Sequence, residues 1–249
     1  GRNVGGGGGA GGVLQATSVV YSRGVTYNVV VGGGGARAPY GSDPYAGSQG
    51  GTSSFDTIST TGGGGGHNGG GERGNGLSGG SGGGAGAYNV TTYTGGAGTS
   101  GQGYKGGDAI PAANKFVGAG GGGAGAAAPD KSAGGGTFTY GIGGDGITSS
   151  ITGVSTDYAG GGSGGYTTPD IGASLGGTNG RADGAANSGA GGGGSCNDPT
   201  CPGGTGGSGV VIIRYADTFA AATTTGSPTI TVSGGYRIYK FTASGSITF

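Results

Sequence analysis

The sequence predicts an all-β or irregular fold: a bundle or sandwich of polyglycine-II helices with flanking short β-strands and essentially no α-helix. Glycine occupies 78 of 249 positions, and no window shows the 3.6-residue periodicity of a helix. A short run of β-branched and aromatic residues precedes most glycine blocks, as in YNVVVGGGG at 27–35. Such a composition is common in disordered linkers, but this recurring unit favours an ordered structure.

Backbone hydrogen bonds are the expected source of order in the glycine blocks. Only 31% of the residues are hydrophobic, which is too few for a conventional core throughout the chain. Because glycine has no Cβ, extended segments with three residues per turn can approach until their N–H and C=O groups pair. Each such bond contributes about 1 kcal/mol net, so the array must be large.

Three regions follow from the distribution of apolar residues. Residues 1–215 form a glycine-rich module that includes two predicted strands within 13–31 and a buried strand at 209–215, GVVIIRY. Residues 216–227 are a predicted linker. Residues 228–249 are predicted to form three short strands with turns at 233–235 and 244–246, too small a unit to fold alone.

Charge and hydropathy exclude two classes of partner. Eleven basic and eleven acidic residues give a net charge of zero, so the sequence predicts no nucleic-acid binding. The longest apolar run, at 210–213, is far shorter than a membrane span, which predicts no membrane insertion.

Residues suited to catalysis are sparse, and we expect neither an enzyme nor a cofactor. His67 is the single histidine and lies among glycines, and the eleven carboxylates are scattered singly. The tetrad GGDG at 143–146 resembles one calcium-binding repeat unit, but a single copy does not make that site, so no metal site is predicted.

Two cysteines lie close together in GGGGSCNDPTCPGG. Cys196 and Cys201 are predicted to form a short disulfide at a loop tip, which indicates an oxidising, extracellular setting. The alternative is a pair of free thiols. Asn89 begins a sequon for N-glycosylation.

Several motifs together resemble the glycine-rich domain of phage tail-fibre and tail proteins. They are GGGGGAGGVL near the start, TSGQGYKGG at 99–107, ITSSITG at 147–153 and GGSGVVIIRY at 206–215. The resemblance covers about residues 1–215. It implies a polyglycine-II sandwich, similar to the adhesins at T-even-type fibre tips, with receptor-binding loops at one end.

The C-terminal strands depart from this family pattern. A segment like GGYRIYKFTASGSITF usually precedes a glycine-rich module, and here it follows one, while the first strand is reduced to GRNV. The C-terminal strands at 228–249 are therefore expected to complete the module of a neighbouring copy. Such a head-to-tail contact builds a filament. The alternatives are a tail that folds back on its own GVVIIRY strand and a chain cut from a longer tandem protein. The predicted subunit contacts are Tyr236, Ile238, Phe241, Ile247 and Phe249.

Loop tyrosines are the candidates for recognition of another molecule. Tyr40, Tyr45, Tyr104 and Tyr166 lie outside the predicted strands, and aromatic rings on a rigid scaffold often bind partners. Alternatively, these rings seal the hydrogen-bonded array from water. Two functions follow: a self-assembling extracellular or virion fibre subunit, whose partners are copies of itself, or an adhesin that binds a host cell-surface protein or glycan.

Overall fold

The computed structural model describes residues 4–39, 45–67, 74–165, 177, 181–196 and 202–249. Within these ranges the chain contains β-strands and irregular segments and no helix, which confirms the all-β prediction. The fifteen strands are β1 (Thr26–Val30), β2 (Ser53–Phe55), β3 (Ile58–Thr60), β4 (Gly86–Tyr88), β5 (Ala109–Ile110), β6 (Phe116–Gly118), β7 (Lys131–Ser132), β8 (Phe138–Tyr140), β9 (Ile147–Ser149), β10 (Thr156–Tyr158), β11 (Val211–Ala216), β12 (Thr223–Thr225), β13 (Thr229–Ser233), β14 (Tyr236–Phe241) and β15 (Gly245–Thr248).

The strands form small sheets around the glycine segments. One sheet has the order β12-β15-β1-β2-β3, and a second has the order β11-β14-β13. A third sheet has the order β4-β6-β8, and β5-β7 and β9-β10 form two-stranded pairs. The first two sheets therefore each combine strands from the start or body of the chain with strands from its C-terminus.

Three local predictions differ from the structure. The region predicted as a linker contains β12, and its first residue, Ala216, ends β11. The turn predicted at 244–246 is shorter than expected, because Gly245 already belongs to β15 and pairs with Val29 of β1. Residues 13–21 form no strand, since Val20 and its neighbours find no partner strand in the described chain.

The turn between β13 and β14 agrees with the prediction. Ser233 pairs with Tyr236, and the two residues between them have positive φ angles, 58° at Gly234 and 81° at Gly235. Two central residues of positive φ match the right-handed twist of the flanking strands.

Segment 5–12 lies at the centre of a hydrogen-bonded assembly of glycine segments, which we call the glycine array. Its successive N–H groups turn to three different neighbours, and every third N–H returns to the same neighbour. The bonds, all 2.8–3.0 Å, run from Gly5, Gly8 and Gly11 to Ser195, Gly192 and Gly189; from Gly6, Gly9 and Gly12 to His67, Gly64 and Thr61; and from Gly7 and Ala10 to Ala119 and Gly122.

Carbonyl groups of the same segment accept bonds from two further neighbours. Gly162 donates to Gly8 and Gly84 donates to Gly7, at 2.9 and 2.8 Å. Segment 5–12 is therefore bonded to five segments: 61–67, 81–84, 119–122, 162–165 and 189–195. Hydrogen bonds replace side-chain packing at the centre of the molecule.

Close contact between segments explains why these positions are glycine. A Cβ added at Gly7 would lie closer than 3.0 Å to the backbone of Gly162, and one at Gly66 would lie equally close to Gly6. Most positions in the glycine array behave in the same way. Any side chain there would separate the segments and break the bonds between them.

Candidate functional site

The C-terminal residues 217–249, which we call the tail, complete both sheets that flank one end of the glycine array. Strand β14 lies between β11 and β13, with Ile213 opposite Tyr239. Strand β15 lies between β1 and β12, with Tyr27 opposite Ile247. The tail is therefore held by main-chain ladders along its two longest contacts with the rest of the chain.

The apolar face of the tail is buried in a core shared with the body of the chain. Tyr239, Phe241 and Ile247 are fully buried and pack with Val29 of β1. Removal of such side chains from water is the main stabilising contribution of a core, at about 1.5–3 kcal/mol for each large apolar residue.

The predicted subunit contacts thus lie mostly inside the single chain. Ile238, Phe241 and Ile247 are buried, and Phe249 is half-buried against the same core. Tyr236 is 42% exposed and holds the Arg214 guanidinium 4.4 Å from its ring centre. This is the arrangement in which the tail folds back on its own GVVIIRY strand, and exchange of the tail between copies stays a prediction.

An aromatic cluster closes the end of this core. Tyr21, Tyr27, Phe55 and Phe249 have ring centres 4.6–6.3 Å apart. Burial, and next the nearby Asp56 carboxylate, raise the pKa of Tyr21 above its ordinary value. Tyr27, Val29 and Val31 alternate along the sequence and share this core, but nothing local in the sequence indicates that Tyr21 joins it.

Two tyrosine hydroxyls fix the start of the tail. Those of Tyr215 and Tyr239 are 3.0 Å apart, and each lies within 3.0 Å of the backbone nitrogen of Ala222. Burial, and next the hydrogen bond with Tyr239, raise the pKa of Tyr215 to about 12. No motif in the sequence indicates this contact, which joins residues between 7 and 24 positions apart.

Strand β13 is an exposed edge. All five of its residues are exposed, including Ile230 and Val232, and it pairs only with β14 among the described strands. Phe219, between β11 and β12, is 67% exposed, and Val20 is 92% exposed. An edge strand with apolar side chains can pair with another chain, so β13 is a candidate contact surface.

The loop tyrosines are only partly located. Tyr40 and Tyr166 lie outside the described residues. Tyr45 is half-buried, while Tyr104 is 51% exposed and its backbone bonds to Gly82 and Gly123 in the glycine array. Tyr104 therefore combines a fixed backbone with a ring open to solvent.

The residues considered for chemistry serve backbone contacts. His67 accepts a backbone bond from Gly6 and donates one to Gly84. The main-chain oxygen of Asp145, in the 143–146 tetrad, accepts bonds from Gly125 and Ala126. The described residues include no group of three or more His, Cys, Asp or Glu side chains suited to a metal ion.

The cysteine prediction concerns one described residue and one outside that set. Cys196 is fully buried and disulfide-bonded, while Cys201 lies outside the described residues. Asn89 has a positive φ of 64° and donates its backbone N–H to Lys115. Across the described ranges, no helix reaches the length and apolar character needed to cross a bilayer.

This architecture corresponds to a known protein family. A family model described as a glycine-rich domain matches residues 1–216. The chain belongs to this glycine-rich domain family. No curated protein and no solved structure gives a significant match. The glycine-rich domain therefore ends with β11, and the tail that completes its two flanking sheets lies beyond the matched range.

Proposed function

We propose that the protein is a non-enzymatic structural subunit of an extracellular or virion fibre, and that copies join by exchange of their tails. The observation that carries this proposal is the position of β14 and β15 as inner strands of sheets whose remaining body strands belong to the glycine-rich domain. A tail from a neighbouring copy can make the same ladders with β11 and β1, because domain swapping reuses intrachain contacts.

The connection between β11 and β12 is suited to act as the hinge of this exchange. Residues 217–222 form a surface connection in which Phe219 is 67% exposed. The clamp on Ala222 by Tyr215 and Tyr239 is the contact at this hinge that would have to re-form between copies. Because a tail donated to one neighbour leaves the donor's own sheets open for another tail, the contact does not close and produces a filament.

The three-residue period of bonding supports the assignment of the glycine segments as polyglycine-II helices. A helix with three residues per turn sends every third N–H in the same direction, as in segment 5–12. A subunit built in this way is stiff, and the neutral net charge adds no repulsion between copies.

The proposed extracellular or virion location rests on the disulfide and on the family resemblance. A buried, disulfide-bonded Cys196 suits an oxidising compartment. Resemblance to phage tail-fibre glycine-rich domains makes a virion fibre the first candidate, and a secreted cellular filament the second.

Engineered disulfides test the exchange directly. The side-chain oxygens of Thr26 in β1 and Thr248 in β15 lie 2.8 Å apart, so the variant T26C/T248C joins body to tail. In an assembled sample, exchange predicts covalent multimers on a non-reducing gel, since the two cysteines come from different copies. A monomer band from assembled material would contradict exchange.

The matched control places both cysteines within the tail. The side-chain oxygens of Thr225 and Ser246 lie 2.9 Å apart in β12 and β15. The variant T225C/S246C should therefore remain monomeric on the gel whether or not tails exchange. Electron microscopy of the untreated protein should show filaments.

A second function has one supporting observation. The ring of Tyr104 is 51% exposed while its backbone is fixed in the glycine array, which suits an adhesin contact with a cell-surface protein or glycan. If the protein is an adhesin, Tyr104→Ala should reduce cell binding and leave the thermal stability unchanged. Unaltered binding would remove this support.

A further inference from the structure

Six glycine-rich segments form a closed ring in which each is hydrogen-bonded to the next. In order around the ring they are 5–12, 61–67, 47–51, 32–36, 203–209 and 189–195. The bonds that join them, 2.8–2.9 Å long, are Gly9 to Gly64, Gly50 to Gly63, Gly51 to Gly33, Gly206 to Gly35, Gly204 to Gly193 and Gly8 to Gly192.

All six segments line a cavity of about 1370 Å³, which continues beyond the ring along residues of 13–21, 53–61, 147–151 and 210–220. On its other sides, segment 5–12 is bonded to the further segments 81–84, 119–122 and 162–165. The cavity therefore occupies the sixth side of segment 5–12, where the array elsewhere places another glycine segment. Segments in a hexagonal polyglycine packing each have six neighbours, so the cavity has the position of one more segment.

Backbone groups around the cavity leave hydrogen-bonding capacity on neighbouring sides. In segment 5–12, the carbonyls of Gly6, Gly9, Gly11 and Gly12 accept no bond from any described residue, although every N–H from Gly5 to Gly12 is bonded. In segment 61–67 the reverse holds: each carbonyl accepts a bond, and the N–H groups of Gly62, Gly63, Gly65 and Gly66 have no partner among the described residues. Acceptors on one wall thus adjoin donors on the next.

The exposure of segment 61–67 follows the same three-residue period. Gly63 and Gly66 are partly exposed, while Gly62, Gly64 and Gly65 are buried. Across the ring, the N–H of Gly192 likewise bonds to no described residue. Gly63 and Gly66 therefore combine an open N–H group with partial exposure, and both line the cavity.

Glycines also form the wall between these polar groups. A Cβ added at Gly11 would lie 3.7 Å from its nearest neighbour, and one at Gly50 would lie 3.4 Å away, both ordinary contacts. Each of these positions lines the cavity, whereas most glycines inside the array have no space for a Cβ. Along the six segments the wall of the cavity is mostly main chain, whereas apolar side chains and the arginines Arg23, Arg37 and Arg214 line the part beyond them.

We propose that this cavity binds an extended, glycine-rich segment of a partner polypeptide, which takes the seventh position at the centre of the ring. Such a segment presents three N–H and three C=O groups per turn around its axis, complementary to the donors and acceptors on adjacent walls. Side chains at array spacing would meet the surrounding backbone, so the partner segment must be mostly glycine. At about 3.1 Å per residue, eight residues span about 25 Å, the length of segment 5–12.

The six ring segments are already bonded to one another within this chain, and the proposal assigns the seventh position to a separate polypeptide. The proposal does not require tail exchange: the ring segments lie within residues 5–209, and the tail contributes none of them, although Phe219, Tyr236 and Phe249 of the tail line another part of the cavity. A failure of fibre assembly would therefore not count against the proposal that the cavity binds a peptide.

The test uses a fluorescent peptide of about eight glycines between lysine pairs, and the full-length protein. A control peptide carries sarcosine in place of glycine, which removes the N–H donors. Gly11→Leu adds a side chain at a position that lines the cavity and has room for a Cβ. Gly135→Leu is the matched control, since Gly135 is exposed and has no atom within 4 Å of an added Cβ. Gly50→Leu is the second cavity variant if Gly11→Leu does not fold.

We expect binding by the unaltered protein and by Gly135→Leu, and an affinity lower by about tenfold or more in Gly11→Leu, whose side chain occupies the peptide path. Binding should protect the amide protons of Gly63, Gly66 and Gly192 from exchange with solvent. Absence of binding, equal binding by both leucine variants, or equal binding of the sarcosine peptide would overturn the proposal. Dissociation of a dimer by the peptide would assign the cavity to a second copy, and would also overturn it.

Discussion

The hydroxyl groups of Tyr215 and Tyr239 lie 3.0 Å apart, and the backbone N–H of Ala222 points at both of them. Tyr215 belongs to β11, the last strand of the glycine-rich domain. Tyr239 belongs to β14, the central strand of the sheet β11-β14-β13. Their rings are stacked, with centres 5.7 Å apart. This pair therefore joins the domain, the hinge and the tail at one point.

Removal of one hydroxyl from this pair should weaken the attachment of the tail. Tyr239→Phe keeps the ring but deletes a buried hydroxyl, and we expect the free energy of unfolding to fall by about 1–2 kcal/mol. Chemical denaturation measures the change. The control is Tyr236→Phe, whose ring is 42% exposed and which should change the stability little. Equal losses in both variants would contradict the role of the pair.

The raised pKa of Tyr215 predicts a loss of stability at high pH. The pKa is 10.0 in the unfolded chain and about 12 in the folded one, so the unfolded state loses its proton first. Stability from this group is complete below pH 10 and is lost as pH rises towards 12. The stability difference between the unaltered protein and Tyr215→Phe should shrink over this range in denaturation curves. A constant difference would show that Tyr215 does not titrate as stated.

Substitutions in the glycine array should show that the array excludes even a methyl group. In Gly7→Ala the added Cβ would lie closer than 3.0 Å to the backbone of Gly162, and we expect a loss of about 3 kcal/mol or more. Gly135→Ala, where the added atom has open space, should be close to neutral. Thermal unfolding of the two variants gives the comparison. A stable Gly7→Ala protein would mean that the segments are not in direct backbone contact.

The turn between β13 and β14 makes a narrower prediction. Gly235 has a φ of 81°, a conformation that asparagine tolerates and β-branched residues do not. Gly235→Val should therefore destabilise the protein by about 1 kcal/mol more than Gly235→Asn. Matched melting temperatures for the two variants would argue against this turn conformation.

The sequence predicted the fold class because glycine content and strand-prone runs act locally. The absence of helix, the buried face with Val29, and the turn at Gly234 and Gly235 all follow from residues near one another in the chain. Polyglycine-II conformation within the blocks stays a prediction, and the bonding period of segment 5–12 is consistent with it.

Long-range partners could not be predicted from this sequence. A glycine block carries no side chain that distinguishes one neighbour from another, so nothing marks Gly8 as a partner of Gly192 rather than of Gly122. The return of the tail onto β11 and β1 was weighed against exchange for the same reason, since apolar strands such as GVVIIRY pair equally well within and between chains. The ring of six segments is a product of these pairings and has no local signal.

The central place of segment 5–12 has a consequence for the order of folding. The bonded partners of this segment all follow it in the sequence and extend to Ser195. Its backbone must remain hydrated until most of the chain has emerged, and each contact then closes a long loop. Contacts so distant in sequence are typical of slow folding. The protein should therefore fold slowly and cooperatively, with segment 5–12 among the last to become protected.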